Sequence, residues 1–233
     1  MAKQKDFETY LCIDNNKFKI FLFDTIHYKN LYSNELIFNK SVDINFEELS
    51  KFLDNNIFKI EKLLGGFIED IFVVINDNIV SETHLSIKKK NDNNITNQKN
   101  LNQALVEAKD LFSETNQDQN IVHMLVNDFI INDKIRNFFV ENLKSDYLHI
   151  NIKFITLSDK LSSKFDKIFE TYQIEIKKFI SGKYLKQTID GNSNEIPEMA
   201  HKILNGINPN EISIVPKIRE NKGFFEKFFQ LFS

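Results

Sequence analysis

The chain has 233 residues, a hydrophobic fraction of 42% and a formal net charge of −3. That length fits one large domain or two small ones with a substantial buried core. The small negative charge gives no reason to expect nucleic acid as a general partner, and a single cysteine, Cys12, excludes an internal disulfide framework and a Cys-based zinc cluster.

Residues 1–9 are polar and charged, unlike a secretory signal. No uncharged apolar run approaches the roughly 18 residues that a spanning helix needs. The expectation is a soluble or peripheral protein of the cytoplasm. Strands are predicted at 10–14 and 17–23, separated by the turn signal Asn15-Asn16. Within the first, Cys12 reads as a small buried residue rather than a reactive thiol. A third run, 35–39, extends that sheet. Asn45 then caps a helix in which Phe46, Leu49, Phe52, Leu53, Ile57, Ile60, Leu63 and Leu64 recur at helical spacing until Gly65-Gly66 stops it.

Two strands, 71–75 and 79–87, follow around Asn76-Asp77-Asn78, and the polar, Asn-rich stretch 88–100 reads as a loop. Leu101, Leu105, Ala108, Leu111 and Phe112 mark a second amphipathic helix. Strands resume at 121–126 and 129–131, and again at 147–157, where Leu148, Ile150, Ile152 and Phe154 alternate with more polar neighbours. Asp159 is placed as the cap of a third helix through Leu161, Phe165, Ile168 and Phe169. A strand at 174–180, a helix from about Ser181 and a last helix at 195–204 complete the series, with Pro197 in a first turn where proline is tolerated. Residues 205–222, with Gly206, Pro209 and Pro216, read as a linker or loosely packed arm. The alternation of strands and helices predicts a mixed α/β or α+β architecture.

Little in this pattern carries catalytic chemistry. Loops that cradle phosphate are built on glycine so that backbone N–H groups approach closely, and Gly65, Gly66, Gly182, Gly191, Gly206 and Gly223 form no such motif. Gly65-Gly66 is a helix stop, and Asp190-Gly191-Asn192 an ordinary turn. His123 and His149 lie on predicted strands and could meet, but nothing nearby completes a metal shell. Lys88-Lys89-Lys90 reads as a solvated basic run. No catalytic residue, cofactor site or metal site is predicted, and the expectation is a protein that is not an enzyme.

The segment after Gly223 is different. Phe224, Phe225, Phe228, Phe229, Leu231 and Phe232 fall within an arc of roughly 160° at helical spacing, with Glu226, Lys227, Gln230 and Ser233 on the other side. Each buried Phe is worth about 1.5–3 kcal/mol, and ordering the helix consumes much of it. Lys217, Arg219, Lys222 and Lys227 add attraction to anionic lipid, about 1 kcal/mol each near the surface. The resulting anchor is weak and reversible, and gains strength when several copies act together. A membrane surface is the first destination this predicts. The chain's own core and a partner's groove are the others.

Residues 100–108 (NLNQALVEA), 120–133 (NIVHMLVNDFIIND) and 148–156 (LHINIKFIT) resemble corresponding segments of the FtsA family of actin-like bacterial cell-division proteins. They look like the helix that opens that family's SHS2-type inserted subdomain, its following strand pair, and the strand that leaves the insertion. Asp190-Gly191-Asn192-Ser193 with Ile196-Pro197-Glu198-Met199-Ala200 is a fainter echo of a Gly-rich loop before a late helix. The resemblance implies a partial actin-like (ribonuclease H-like) half at 1–80 and 158–204, and an SHS2-type insertion at 81–157. A linker (205–222) and an amphipathic membrane helix (223–233), which also end the family's chains, would complete it. It implies a non-catalytic adaptor in septum assembly, peripheral on the inner membrane face, with anionic lipids and other division proteins as partners and self-association as a further one. The departures are plain. Asp14 is followed by Asn15-Asn16 where the family has a Gly-Thr type turn, and the family's Asp-x-Gly-Gly-Gly-Thr type hairpin has no counterpart. A pilus or secretion scaffold of the actin-like type, or a nucleotide-binding remnant of that ATPase family, are the alternatives.

Overall fold

The apolar runs that open the chain form a hairpin in which β1 (Phe7–Asp14) and β2 (Lys17–Asp24) pair antiparallel, with Asp14 opposite Lys17. The structure is a computed structural model and describes residues 6–14, 16–38, 44–76, 79–189 and 195–213. β3 (Lys29–Ile37) pairs antiparallel with β2 on the outer side. On the inner side β4 (Asp70–Ile75) runs parallel to β1, and β9 (Glu175–Ser181) runs parallel to β4. The order is β3-β2-β1-β4-β9, with β2 alone reversed.

Both faces of this sheet are buried, which is why β1, β2 and β4 read as nearly continuous apolar runs. Leu11, Ile13, Ile20, Val73 and Ile75 point to one face, where α1 (Phe46–Asp54), α2 (Ile57–Leu64) and α4 (Asp159–Glu170) supply Leu49, Phe52, Ile60, Phe165 and Phe169. Tyr10, Cys12, Phe21, Phe23, Phe72 and Val74 point to the other, against residues of α5 (Gly182–Thr188) and α6 (Ile196–Leu204). Cys12 is a free, buried thiol, and burial pushes its pKa up to about 12.

A second, antiparallel sheet occupies the stretch between β4 and α4. Its order is β5-β8-β6-β7, with β5 (Ser81–Ile95), β6 (Gln119–Ile131), β7 (Lys134–Arg136) and β8 (Lys144–Ser158). α3 (Gln98–Thr115) covers one face with Leu101, Ala104, Leu105, Ala108 and Phe112, packed on Met124, Val126, Ile150, Ile152 and Phe154. Phe112 stacks on Phe154 at 4.2 Å between ring centroids. Among the described residues no helix is long and apolar enough to cross a membrane.

Several expectations need correction. The helix predicted from Phe46 to Leu64 is two helices, broken at Asn55-Asn56. The Asn56 side chain is fully buried; its Oδ1 accepts from Tyr32 Oη at 2.6 Å and from Asn34 Nδ2 at 2.7 Å, and its Nδ2 donates to the Phe52 carbonyl. A side chain that satisfies backbone and strand groups in this way competes with continued helix. The loop predicted at 88–100 is largely strand: β5 continues through Lys88-Lys89-Lys90 to Ile95, because β8 offers it a full ladder to Lys144, interrupted between Lys90 and Asn94. The positive φ of Asp92 and Asn93 falls in that break. The two strands at 121–126 and 129–131 are one strand with a register shift between Val126 and Asp128. Ser158, not Asp159, is the N-cap of α4. Gly65 ends α2 in the left-handed conformation (φ 69°).

Replacing Asn56 with Ala leaves the half-buried Tyr32 Oη and Asn34 Nδ2 without this acceptor and empties a fully buried position. The expected loss is about 2–4 kcal/mol, read as a lower midpoint in urea unfolding with unchanged m-value.

Candidate functional site

Two places on the molecule collect polar groups that sequence reading did not connect. The first lies at the carboxyl end of the parallel strands, where open α/β sheets commonly hold ligands. Asn76, just past β4, donates from Nδ2 to Asp14 Oδ2 at 2.9 Å and so ties the end of β4 to the end of β1. Gly182, the first residue of α5, sits against it: a Cβ there would lie 2.1 Å from Asn76 Oδ1 and 3.3 Å from the Ile75 carbonyl. The glycine makes room for an asparagine side chain of the protein itself. Asn15, Asp77 and Asp190 to Asn194 lie outside the described residues, the Asp190-Gly191-Asn192 turn among them.

The second place joins the two sheets. Residues 205–213, expected to begin a linker, are built into the fold. After α6 the chain returns to the open edge of β6, where Val126 N–H donates to the Asn210 carbonyl at 2.9 Å and Ile212 N–H to the Met124 carbonyl at 2.8 Å. Leu125 and Glu211 form an antiparallel bridge. The Glu211 carboxylate is the hub of a clasp. Its Oε1 takes His123 Nδ1 at 2.8 Å and Lys178 Nζ at 3.3 Å, and its Oε2 accepts from Tyr184 Oη at 2.8 Å. Tyr184 Oη in turn accepts from Asn208 Nδ2 at 2.9 Å. One carboxylate thereby links β6, β9, α5 and the 208–212 segment.

The proton positions follow from these partners. His123 is 1% exposed, and its Nε2 accepts the Ser181 backbone N–H at 3.0 Å. The remaining ring proton is therefore on Nδ1 and donated to Glu211, which leaves a neutral imidazole. Burial holds the His123 pKa below its ordinary value of 6.5, against the opposing pull of Glu211. Burial alone would raise the Glu211 pKa. The hydrogen bonds from His123 and Tyr184 and the charge of Lys178 outweigh it and bring it down to about 2. Burial and the bond to Glu211 push the Tyr184 phenol up.

His123 and His149 do not meet: β6–β8 register puts His123 opposite Ile155 and His149 opposite Ile130. Among the described residues no group of three or more His, Cys, Asp or Glu could hold a metal ion. Lys88 lies over the Tyr147 ring at 4.3 Å, Lys89 pairs with Glu107 at 2.7 Å and Lys90 with Asp92 at 2.6 Å, so the basic run is internally compensated. Lys222, Phe224, Phe225, Lys227, Phe228, Phe229, Leu231 and Phe232 lie outside the described residues. The clasp was missed because Glu211 was read within a linker; the alternation Glu211-Ile212-Ser213-Ile214 was the available strand signal.

Beside the clasp an apolar groove of about 680 Å³ opens between α3 and the β7–β8 connection. Leu101, Leu105 and Val106 of α3 face Phe138, Phe139 and Ile212 across it, and Ser213 is at its lip.

No family model and no curated protein matches the chain. Among solved structures it is similar to a PilM–PilN type IV pilus biogenesis complex at 7% identity and TM-score 0.45, covering 78% of this chain and 49% of that one. It is similar to the cytoplasmic domain of EpsL, an inner-membrane component of the type II secretion system of Vibrio cholerae, at 9% identity and TM-score 0.40, over 80% and 60% of the two chains. A Bacteroides thetaiotaomicron protein with an actin-like ATPase fold and unknown function is similar at 12% identity and TM-score 0.32, over 82% and 60%. The chain thus spans about half to three fifths of these proteins' lengths.

Two outcomes test the sites. Unfolded His123 binds more protons than folded His123 at pH values below the ordinary 6.5, so stability falls as pH drops through that value. Glu211 adds stability that is complete above the ordinary 4.5 and lost as pH falls toward 2. Urea midpoints measured from pH 8 to pH 3 should decline in two stages, and His123→Gln should flatten the first. At the other site, Gly182→Ala displaces Asn76 from Asp14 and should cost about 1–3 kcal/mol. In an Asn76→Ala background the same change should cost markedly less, as measured by a double-mutant cycle of thermal unfolding.

Proposed function

We propose that this protein is a non-catalytic scaffold, tethered to an anionic membrane surface by residues 222–232, that presents an incomplete actin-like half and an SHS2-type insertion to partner proteins of a bacterial envelope assembly. The observation that carries this reading is the complete separation of Phe224, Phe225, Phe228, Phe229, Leu231 and Phe232 from the polar residues of the same stretch, with Lys222 and Lys227 beside it. The order of one strand, one helix and three further strands within 81–157, the short β7 being a hairpin partner of β6, supports the insertion, and the weak tether suits a protein that works in several copies.

Absence of nucleotide chemistry is part of the proposal. Its support is at the carboxyl end of the first sheet, where Gly182 accommodates Asn76 and Asn76 is committed to Asp14. A phosphate would have to displace that side chain. The division role implied by the resemblance to the FtsA family rests on residues 100–108, 120–133 and 148–156, on the fainter echo at 190–193 and 196–200, and on the Phe-rich end segment. A pilus or secretion scaffold would use the same parts. A tagged protein imaged in cells separates them: midcell bands mean division, polar or scattered foci mean a pilus or secretion assembly.

The tether is tested by sedimentation with vesicles containing phosphatidylglycerol. The intact chain should pellet with them, less at high salt, and a chain truncated after Ile218 should not. Equal pelleting of both sinks the reading. Saturable binding of a fluorescent ATP analogue at micromolar concentration would overturn its non-catalytic part.

A further inference from the structure

We propose that the groove between α3 and the β7–β8 connection is the resting site of the chain's own Phe-rich stripe, so that membrane binding is a competition between this groove and lipid. The inference rests on the tether reading above and adds its regulation. Val106 and Phe138 line the groove yet are 57% and 65% exposed. Both are large apolar side chains, and they leave an apolar surface that no described element covers.

The clasp supplies the geometric argument. Its bonds at Asn210, Glu211 and Ile212 fix the chain on β6, and they deliver Ser213 to the lip of the groove. Residues 214–223 then reach on the order of 30 Å when extended, while α3, at 18 residues, is about 27 Å long. The stripe is therefore within reach of the whole groove at high effective concentration. A volume of about 680 Å³ is in the range that encloses a drug-sized ligand, enough for roughly two or three phenyl rings. The stripe offers Phe residues at i, i+4 and i+1, i+5 spacing, so one side of a short helix places such a set together. Filling the groove covers Val106 and Phe138 and removes the same rings from lipid.

Competition of this kind makes apparent lipid affinity the intrinsic affinity reduced by the fraction of open tails. Opening the groove should therefore strengthen membrane binding without touching the tail.

The test uses the full chain. Cys12 is buried, with a thiol held protonated, so cysteines introduced by Val106→Cys and Gln230→Cys are the accessible pair for a short bis-maleimide. An intramolecular cross-link between them is expected in vesicle-free buffer. It should fall at least about fivefold on adding phosphatidylglycerol vesicles, and should be lost when Phe225→Ser and Phe229→Ser are added. In a separate chain, Val106→Glu with Phe138→Ser should lower the lipid concentration for half-binding by about fivefold. Both positions are exposed, so the fold should persist. No cross-link, a cross-link only between chains, or one that survives the Phe→Ser changes would overturn the inference, as would equal vesicle binding by native and groove-opened chains. Those results leave the tether standing if the native chain still binds vesicles. If neither chain binds vesicles, the tether fails and the proposed competition with lipid fails with it.

Discussion

Parallel strands are buried on both faces, and this constraint organises the rest of the chain. Once β1, β4 and β9 adopt parallel neighbours, helices must cover each side, and the connections between strands must carry those helices. α1, α2 and α4 take one face and α5 and α6 the other. The second sheet is fastened to this frame by side chains that belong to more than one core: Val122 and Leu157 pack with the first face, Leu125 and Ile155 with the second, and Met124 and Phe154 under α3. The second sheet therefore has a fixed footing.

At the junction the chain uses polar groups where more hydrophobic packing was available. A buried carboxylate costs desolvation that is offset only when both its oxygens are engaged by hydrogen bonds or opposite charge. Glu211 meets that condition through His123, Lys178 and Tyr184, and His123 meets it through Ser181. Such bonds specify one arrangement, since displacing the 208–212 segment along β6 would leave the carboxylate buried without partners. That directional demand decides where the chain emerges, and thus what the residues beyond it can reach.

Much of the first sheet was legible because its signals are local. The runs at 10–14, 17–23 and 71–75 are apolar enough to be strands in any context, and Gly65 marks a helix end by its own backbone requirement. The break at Asn56 was not legible, because it depends on Tyr32 and Asn34 arriving from another strand. Lys88-Lys89-Lys90 failed for a similar reason: polar residues join a strand when a long partner such as β8 supplies the ladder. At the junction, Glu211 looked like one more surface acid, and His123 like a lone strand histidine, since the distance between them in sequence hides their meeting. The Phe-rich stripe was plain from periodicity alone.

The outer rims of the two sheets bear on how copies of this protein meet. β3 is the terminal strand of one sheet and β5 of the other. The first carries Lys29 and Glu35, and the second Glu82 and the Lys88-Lys89-Lys90 run. Charges along a rim oppose the addition of another chain's backbone, as in many proteins that must remain unaggregated. At these two rims, contact with another molecule would then run through surface side chains rather than through a continued ladder.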